Sequence, residues 1–239
     1  MDRSELAQPF ERMIAGLFPP GRVREGNGWD AERREIEASG FLDLLAGDDA
    51  LAFDHAVPLF IVLGRHAAPL GIGREMIARG GLGDGAEAIL LAAAIAGAGE
   101  RVLEMAVAYA NDRVQFGKPI GKQQAVQQNL ALMAEHVVAV RLAAELAAAD
   151  FPDGGAMKAA VAKATASELA PRIASAAHAV CGAMGIGMEH DLQLFTRRLH
   201  QWRAEAGSET LHSRALGIAV LADDRSAVDW VRAEVFREA

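Results

Sequence analysis

The chain has 239 residues, of which 51% are hydrophobic and only 5% aromatic, and its formal net charge is −8. A chain of this length can form one or two domains with a sizeable core, and its alanine-rich composition favours closely packed helices over sheets. The negative net charge argues against sequence-independent binding to nucleic acid, which depends on gathered cations.

Three further classes of structure are not expected from the sequence. Cys181 is the sole cysteine, so no internal disulfide can form. His55 and His66 have no second ligand at metal-binding spacing, so we expect no metal site. The apolar runs are too short to span a membrane, and the charged N-terminus does not resemble a signal peptide. A cytoplasmic location is therefore expected.

The first 80 residues read as an N-terminal helical segment. Apolar spacing predicts helices over residues 1–18, 29–39 and 48–63, and Pro58 is expected to kink or split the third helix. Residues 64–85 are rich in glycine, which predicts loops and turns. No β-branched strand precedes their Gly-x-Gly pieces, so a dinucleotide-binding βαβ unit is excluded.

Residues 81–239 read as a helical bundle whose first element is a long helix, from near Gly85 to Gly117. Glycine at this end, followed by Pro119, is typical of a helix C-terminus. Tyr109, Arg113 and Phe116 would then share one helix face and offer a guanidinium between two aromatic rings to a flat, phosphate-bearing ligand. The alternatives are an ordinary core helix with an exposed arginine, or a salt bridge from Arg113 to a neighbouring acid such as Asp112.

Four more helices are predicted over residues 122–150, 156–184, 191–205 and 208–237, joined by short loops. Leu130, Met133, Val137 and Leu142 are expected to face inward, and Asp223 and Asp224 are expected to interrupt the last helix. The predicted fold is all-α. Because the chain is acidic overall, an anionic cofactor would need locally gathered cations, for which the candidates are Lys118, Lys122, Arg197 and Arg198.

One stretch of the sequence resembles the acyl-CoA dehydrogenase family, flavoenzymes that desaturate acyl-CoA thioesters between Cα and Cβ. The resemblance rests on Tyr109, Arg113, the run Phe116-Gly117-Lys118-Pro119-Ile120 and the run Gln123-Gln124-Ala125-Val126-Gln127. It continues from Glu87 to about Arg214 and implies a C-terminal helical bundle like that of the family. The family's middle β-domain, which covers one side of the flavin, is expected to be missing, because the N-terminal helices lead almost directly to Glu87.

The resemblance offers two positions for the catalytic base. Many members carry a glutamate late in the chain, but the matching residue here is Ala206, and Glu205 would be turned about 100° away if this stretch were helical. In a second branch of the family the base lies earlier, at the position of Glu87. We therefore expect Glu87 to be the catalytic base; the alternative is a first-turn glutamate that interacts with the helix dipole.

The resemblance also implies FAD as the cofactor. Arg113 would pair with its pyrophosphate, Phe116 would line the adenine side, and Gln124 would hydrogen-bond nearby, all acting on cofactor held by a neighbouring subunit. Gly182 and Ser208 match two more flavin contacts, whereas other contact positions hold different residues.

Two functions remain open at this stage. The first is an acyl-CoA dehydrogenase subunit, in a homodimer, a tetramer or a complex with a full-length partner, that acts on an acyl-CoA and delivers electrons to an electron-transferring flavoprotein. The second is a non-catalytic relative that serves in assembly or regulation.

Overall fold

The computed structural model describes residues 3–26, 28–149, 151–152, 155–187 and 190–236, and they form an almost entirely helical structure. The prediction of an all-α fold is confirmed. The α-helices are α1 (Arg3–Leu17), α2 (Pro20–Glu25), α3 (Arg33–Ala38), α4 (Val57–Arg65), α5 (Gly71–Arg79), α6 (Asp84–Asp112), α7 (Gln124–Ala149), α8 (Gly155–Cys181), α9 (Leu192–Trp202), α10 (Glu209–Leu221) and α11 (Ala227–Glu234). Strands β1 (Val114–Gln115) and β2 (Lys118–Pro119) form a small antiparallel hairpin.

Helix α6 is the central element of the fold, and it packs against α4, α7, α8 and α9. Every residue from 89 to 96 is completely buried, so this part of the helix has no solvent-facing side. A helix that is apolar all round can only be stable inside a core. The alanines in this stretch give it a small diameter, which lets several helices approach it at once.

Two glycines mark the closest approach of α4 and α6. A Cβ built on Gly64 would lie 2.0 Å from the carbonyl oxygen of Ala94, and a Cβ on Gly97 would lie 1.9 Å from the carbonyl oxygen of Ile61. Both distances are far below van der Waals contact, so the two backbones touch where side chains would otherwise keep them apart.

The N-terminal helices differ from the predicted ones. The predicted helix over residues 48–63 begins only at Val57, after a 3₁₀ turn at Phe53–Ala56, and Pro58 lies in its first turn, where a missing N–H is tolerated. Residues 64–85, predicted to be loops, include helix α5. Its glycines serve close packing, because a Cβ on Gly71 would lie 2.7 Å from the Trp29 ring and one on Gly73 would lie 2.7 Å from a Leu90 methyl carbon.

The prediction that the long helix continues to Gly117 is wrong. Helix α6 ends at Asp112, and Arg113 adopts an extended conformation with φ −75° and ψ 112°. Val114 pairs with Pro119 and Gln115 with Lys118, which leaves Phe116 and Gly117 as a two-residue turn with φ values of 53° and 76°. Positive φ at both positions is typical of a type I′ hairpin turn.

The C-terminal helices follow the prediction more closely. The interruption expected at Asp223 and Asp224 is confirmed, because α10 ends at Leu221 and α11 begins at Ala227. Leu142, predicted to face inward, is 51% exposed, whereas Met133 and Val137 are buried as expected. The described part of α10 buries no residue fully and exposes three large apolar side chains: Leu211, Ile218 and Leu221.

Among the helices of the described ranges, none is both long enough and apolar enough to cross a bilayer. The predicted boundary near residue 80 falls between α5 and α6, and the buried core includes residues from both sides of it. The division into two domains stays a prediction.

Candidate active site

A cavity of about 400 Å³ lies where the first turn of α6, the first turns of α8 and the start of α10 meet. Most of its lining is alanine, and the polar side chains in the lining belong to Glu87 and His212; the full set is Gly85, Glu87, Ala88, Ala156, Ala159, Ala160, Ala206 and His212. The small alanine side chains keep the space between the helices open. The cavity is therefore lined by both Glu87 and Ala206, the two positions that the resemblance offers for the base.

Arg74 on α5 holds the carboxylate of Glu87. Its Nε donates a hydrogen bond of 2.8 Å to Glu87 Oε1, and its Nη2 donates one of 2.5 Å to Glu205 Oε2. Burial lowers the pKa of Arg74, but the hydrogen bonds and charges of Glu205 and Glu87 outweigh it, so the pKa lies above its ordinary value. The guanidinium is thus firmly charged and forms an ion pair with each of the two carboxylates.

The 100° rotation expected between Glu205 and residue 206 assumed a helix, which the structure does not have here. Helix α9 ends at Trp202, so residues 203–206 form a turn and the helical angle does not apply to them. The turn brings Glu205 to the same guanidinium as Glu87, although Glu205 is absent from the lining of the alanine cavity. Gln201 also holds this carboxylate through a hydrogen bond of 2.7 Å from Nε2 to Glu205 Oε1.

The turn before α10 forms one wall of the cavity and has an unusual backbone. Ala206 has φ 50° and Gly207 has φ 94°. A residue with a Cβ in the left-handed region is unfavourable by roughly 1–2 kcal/mol, so neighbouring contacts must hold Ala206 there. Its carbonyl oxygen accepts a hydrogen bond of 2.9 Å from His212 Nε2.

Lys163 on α8 lies beneath this turn and is completely buried. Its Nζ donates to Ser167 Oγ at 2.6 Å, to the carbonyl oxygen of Arg203 at 3.0 Å and to that of Gly207 at 2.8 Å. Burial lowers the pKa of Lys163 to about 8, partly offset by the charges of Glu209 and Glu205. An ammonium group has three donors, and here each one has an oxygen acceptor.

The predicted flavin contacts lie elsewhere on the chain. Arg113 and Phe116 do not share a helix face, because both follow the end of α6 and Phe116 occupies the hairpin turn with 90% of its surface exposed. Arg113 is exposed and makes no ion pair with any acid among the described residues, so the alternative of a salt bridge to Asp112 is not observed. Tyr109 is half-buried on α6, where its ring lies edge-on to His190 with the centroids 6.5 Å apart.

The other predicted contacts are spread along the bundle. Gln124 is the exposed first residue of α7, Gly182 follows α8 with φ 58°, and Ser208 is the N-cap of α10 without a side-chain capping hydrogen bond. The residues that line the alanine cavity in the described structure include none of these, nor Arg113 or Phe116. The predicted base and the predicted flavin contacts are therefore not joined in one cavity of this chain.

The four candidate cations also separate into two groups. Arg197 and Arg198 line a cavity of about 570 Å³ between α2 and α9, together with Arg24, which is ion-paired to Asp191. Lys118 and Lys122 are not among its lining residues and lie at the hairpin and the 3₁₀ turn after it. No group of three or more metal-ligating side chains occurs within the described ranges.

Sequence reasoning did not identify Arg74, Lys163 or His212 as parts of this site. Arg74 gives no local signal, because its partners lie 13 and 131 residues further along the chain. Lys163 does give one, since a lysine on an otherwise small-residue helix face with a serine four residues later indicates a buried polar group.

Comparison with known proteins agrees with this architecture. The family model of the acyl-CoA dehydrogenase C-terminal domain matches residues 85–221, more than half of the chain. Acyl-CoA dehydrogenase IpdE2 of Mycolicibacterium smegmatis is 40% identical over 120 residues, which cover 50% of this chain and 37% of that protein. Glutaryl-CoA dehydrogenase of Desulfococcus multivorans is 35% identical over 169 residues, which cover 62% of this chain and 43% of that protein. The chain thus spans less than half the length of these relatives.

Solved structures give the same assignment. A chain of the ChsE4-ChsE5 complex from Mycobacterium tuberculosis superposes with a TM-score of 0.77 at 19% identity, over 95% of this chain and all of that one, which shows a common fold. Butyryl-CoA dehydrogenase from Megasphaera elsdenii gives a TM-score of 0.55 at 30% identity, over 64% of this chain and 39% of that one. The alanine cavity, the bundle around α6 and the family match over residues 85–221 lead to one conclusion: this chain belongs to the acyl-CoA dehydrogenase family.

Proposed function

We propose that this chain is a subunit of an FAD-dependent acyl-CoA dehydrogenase, which desaturates an acyl-CoA thioester between Cα and Cβ. The observation that carries the proposal is the alanine-lined cavity with Glu87 in its wall, formed by the helices that define the family match. A cavity of about 400 Å³ is large enough for part of an acyl thioester and is lined mainly by apolar groups, as ligand sites usually are.

Glu87 is the proposed base. The thioester makes the Cα proton weakly acidic, and a carboxylate beside Cα can accept it. The guanidinium of Arg74, 2.8 Å from Glu87 Oε1, fixes the position of that carboxylate in the cavity wall. Both side chains are about two-fifths exposed, so a ligand that covers the cavity mouth would strengthen their interaction by excluding water.

The hairpin after α6 supports a role in binding FAD. Arg113 is an exposed guanidinium with no described acidic partner, which suits a diphosphate, and the exposed ring of Phe116 offers a surface to an adenine. Gln124 follows close by in the sequence, and the Ser208 hydroxyl is not used in helix capping. When bound, FAD supplies the acceptor for the hydride that leaves Cβ.

The proposal includes assembly with another chain. The described residues contain no β-domain that could cover a flavin, and the predicted base and flavin contacts do not share a cavity. Both observations favour a site completed by a second subunit, either another copy or a full-length family member, and an electron-transferring flavoprotein as the electron acceptor. The exposed Leu211, Ile218 and Leu221 on α10 provide apolar surface for such an interface.

The test begins with purification from the native host, so that any partner chain is retained, followed by an absorbance spectrum. We expect a yellow, FAD-containing complex whose flavin absorbance is bleached by acyl-CoA. Glu87→Gln in that complex should abolish bleaching, whereas Glu205→Gln should not. Glu205 is a matched control because it binds the same guanidinium but does not line the cavity. Bleaching that survives Glu87→Gln would remove Glu87 from the mechanism.

The second candidate function is a non-catalytic subunit that serves in assembly or regulation. Ala206 favours it, because one of the two family positions for the base holds a methyl group here. A colourless protein that takes up no added FAD, alone or with its co-purified partner, would support this function over the first.

A further inference from the structure

The buried ammonium of Lys163 has no role in the proposed chemistry, yet it bonds to the turn that forms one wall of the cavity. A fully buried lysine is unfavourable unless its charge is compensated. Here its three donors bond to Ser167 Oγ and to the carbonyl oxygens of Arg203 and Gly207, and no carboxylate lies among these direct partners. Two of the three acceptors are backbone atoms of the turn between α9 and α10.

The backbone of that turn is strained and depends on neighbouring contacts to keep its conformation. The two carbonyls bonded by Lys163 flank Ala206, whose φ of 50° is unfavourable for a residue with a Cβ. Ala206 lines the cavity, and its own carbonyl oxygen accepts the hydrogen bond from His212, which lines the cavity as well. Lys163 thus bonds to carbonyl oxygens on both sides of Ala206, and Ser167 Oγ donates a further hydrogen bond of 3.0 Å to the Arg203 carbonyl oxygen.

We propose that Lys163 is a positioning residue of this site, whose hydrogen bonds to the Arg203 and Gly207 carbonyls hold the Ala206–Gly207 turn in the shape that receives an acyl thioester. The proposal rests on the proposed function for the identity of the ligand. The effect of Lys163 on the turn is independent of the proposed function, because it can be measured without any ligand.

The test compares Lys163→Met with Thr196→Val. The first variant removes both Lys163 bonds to the turn and keeps an unbranched chain of similar length. The second removes a buried hydroxyl on α9 whose described hydrogen bond is to His178 Nε2, so it controls for general destabilisation. Amide hydrogen exchange of the ligand-free proteins is followed by mass spectrometry, together with binding of butyryl-CoA and of CoA by calorimetry.

In Lys163→Met we expect exchange across residues 203–212 to accelerate about tenfold or more, as expected when hydrogen bonds of ordinary strength are lost, while α7 exchanges as in the wild type. Butyryl-CoA affinity should fall about tenfold and CoA affinity should change little, because the turn contacts the acyl end. Thr196→Val should stay within about threefold of the wild type in all three measurements, because its hydroxyl bonds to His178.

Two results would overturn the proposal: unchanged exchange over residues 203–212 in a folded Lys163→Met, or equal losses in both variants, which would indicate a packing effect. If the wild-type complex, purified with any partner chain, binds butyryl-CoA no more tightly than CoA, the assignment of an acyl ligand to this cavity fails instead, and hydrogen exchange still decides whether Lys163 holds the turn.

Discussion

The crossing of α4 and α6 allows a stability change to be worked out from one distance. In Gly97→Ala the new methyl carbon would lie 1.9 Å from the Ile61 carbonyl oxygen and 2.9 Å from the Arg65 backbone nitrogen. A close carbon–oxygen contact is roughly 3.3 Å, so the helices must separate by more than 1 Å. Neither obstacle can rotate away, because both are backbone atoms.

The magnitude follows from two opposing effects. Overpacking a well-filled core costs typically about 1–3 kcal/mol, and a clash with backbone falls at the upper end of that range. Inside a helix, alanine is more favourable than glycine by about 1 kcal/mol, which offsets part of the loss in stability. We therefore expect Gly97→Ala to lower the free energy of unfolding by about 2 kcal/mol, or roughly 4–8 °C in Tm for a chain of this size.

The assay is thermal and urea unfolding followed by circular dichroism, with Gly16→Ala as the matched control. Gly16 lies inside α1, and no atom lies within 4 Å of the position that its new methyl group would take. The same substitution there should stabilise the protein by about 0.5–1 kcal/mol. Gly64→Ala, on the facing helix, should resemble Gly97→Ala, and the double variant should lose less than the sum because one separation relieves both clashes. A Gly97→Ala variant as stable as Gly16→Ala would refute the reasoning.

Three further predictions concern single side chains. Burial lowers the pKa of Lys163 to about 8, so between about pH 8 and 10.5 the unfolded chain binds more protons than the folded one. The free energy of unfolding of the wild type, relative to that of Lys163→Met, should therefore rise with pH through this window by on the order of 3 kcal/mol. An equal difference between the two proteins at pH 7 and pH 10, measured by urea unfolding, would contradict this. Phe60→Ala should lower the free energy of unfolding by about 3–5 kcal/mol, since the ring is completely buried and its centroid lies 5.9 Å from that of Phe53. A loss below about 1 kcal/mol in the same assay would contradict this and show that the core closes over the space left by the ring. Ser226→Ala should cost about 1 kcal/mol, because Ser226 Oγ accepts the Asp229 N–H at the start of α11, while Ser226→Asn should retain most of that stability.

The long helices could be predicted from the sequence because their apolar periodicity and their breaks carry the information locally. α5 could not, because Gly71 and Gly73 read as turn residues until Trp29 and Leu90 are seen to pack against them. Glycine permits both a turn and a close approach, and only the tertiary structure distinguishes the two uses.

The hairpin was missed for a similar reason. The spacing of Tyr109, Arg113 and Phe116 is compatible with a helix face, and no local rule forbids a helix through Val114 and Gln115. Its two-residue turn places Phe116 at positive φ, which a phenylalanine rarely adopts and which turn propensities therefore do not predict.

The site itself was predicted only in part. Glu87 was expected at the start of a long apolar helix, and it lines the cavity there. Its role as base, and those of Arg113, Phe116, Gln124, Gly182 and Ser208 as flavin contacts, stay predictions. Arg74 could not be assigned from the sequence, because only the folded chain brings Glu87 and Glu205 near it. The pattern around Lys163 indicates a buried polar group, but it does not identify the turn to which the ammonium bonds.

The alanine lining of the cavity has a consequence for how its specificity can evolve. Five of its eight lining residues are alanine, and apart from glycine no side chain is smaller. Almost any substitution of these alanines must therefore narrow the space, and only glycine could enlarge it. Under the proposed function, a single substitution could adapt these walls to a smaller acyl group, whereas a much larger acyl group would require the helices themselves to move.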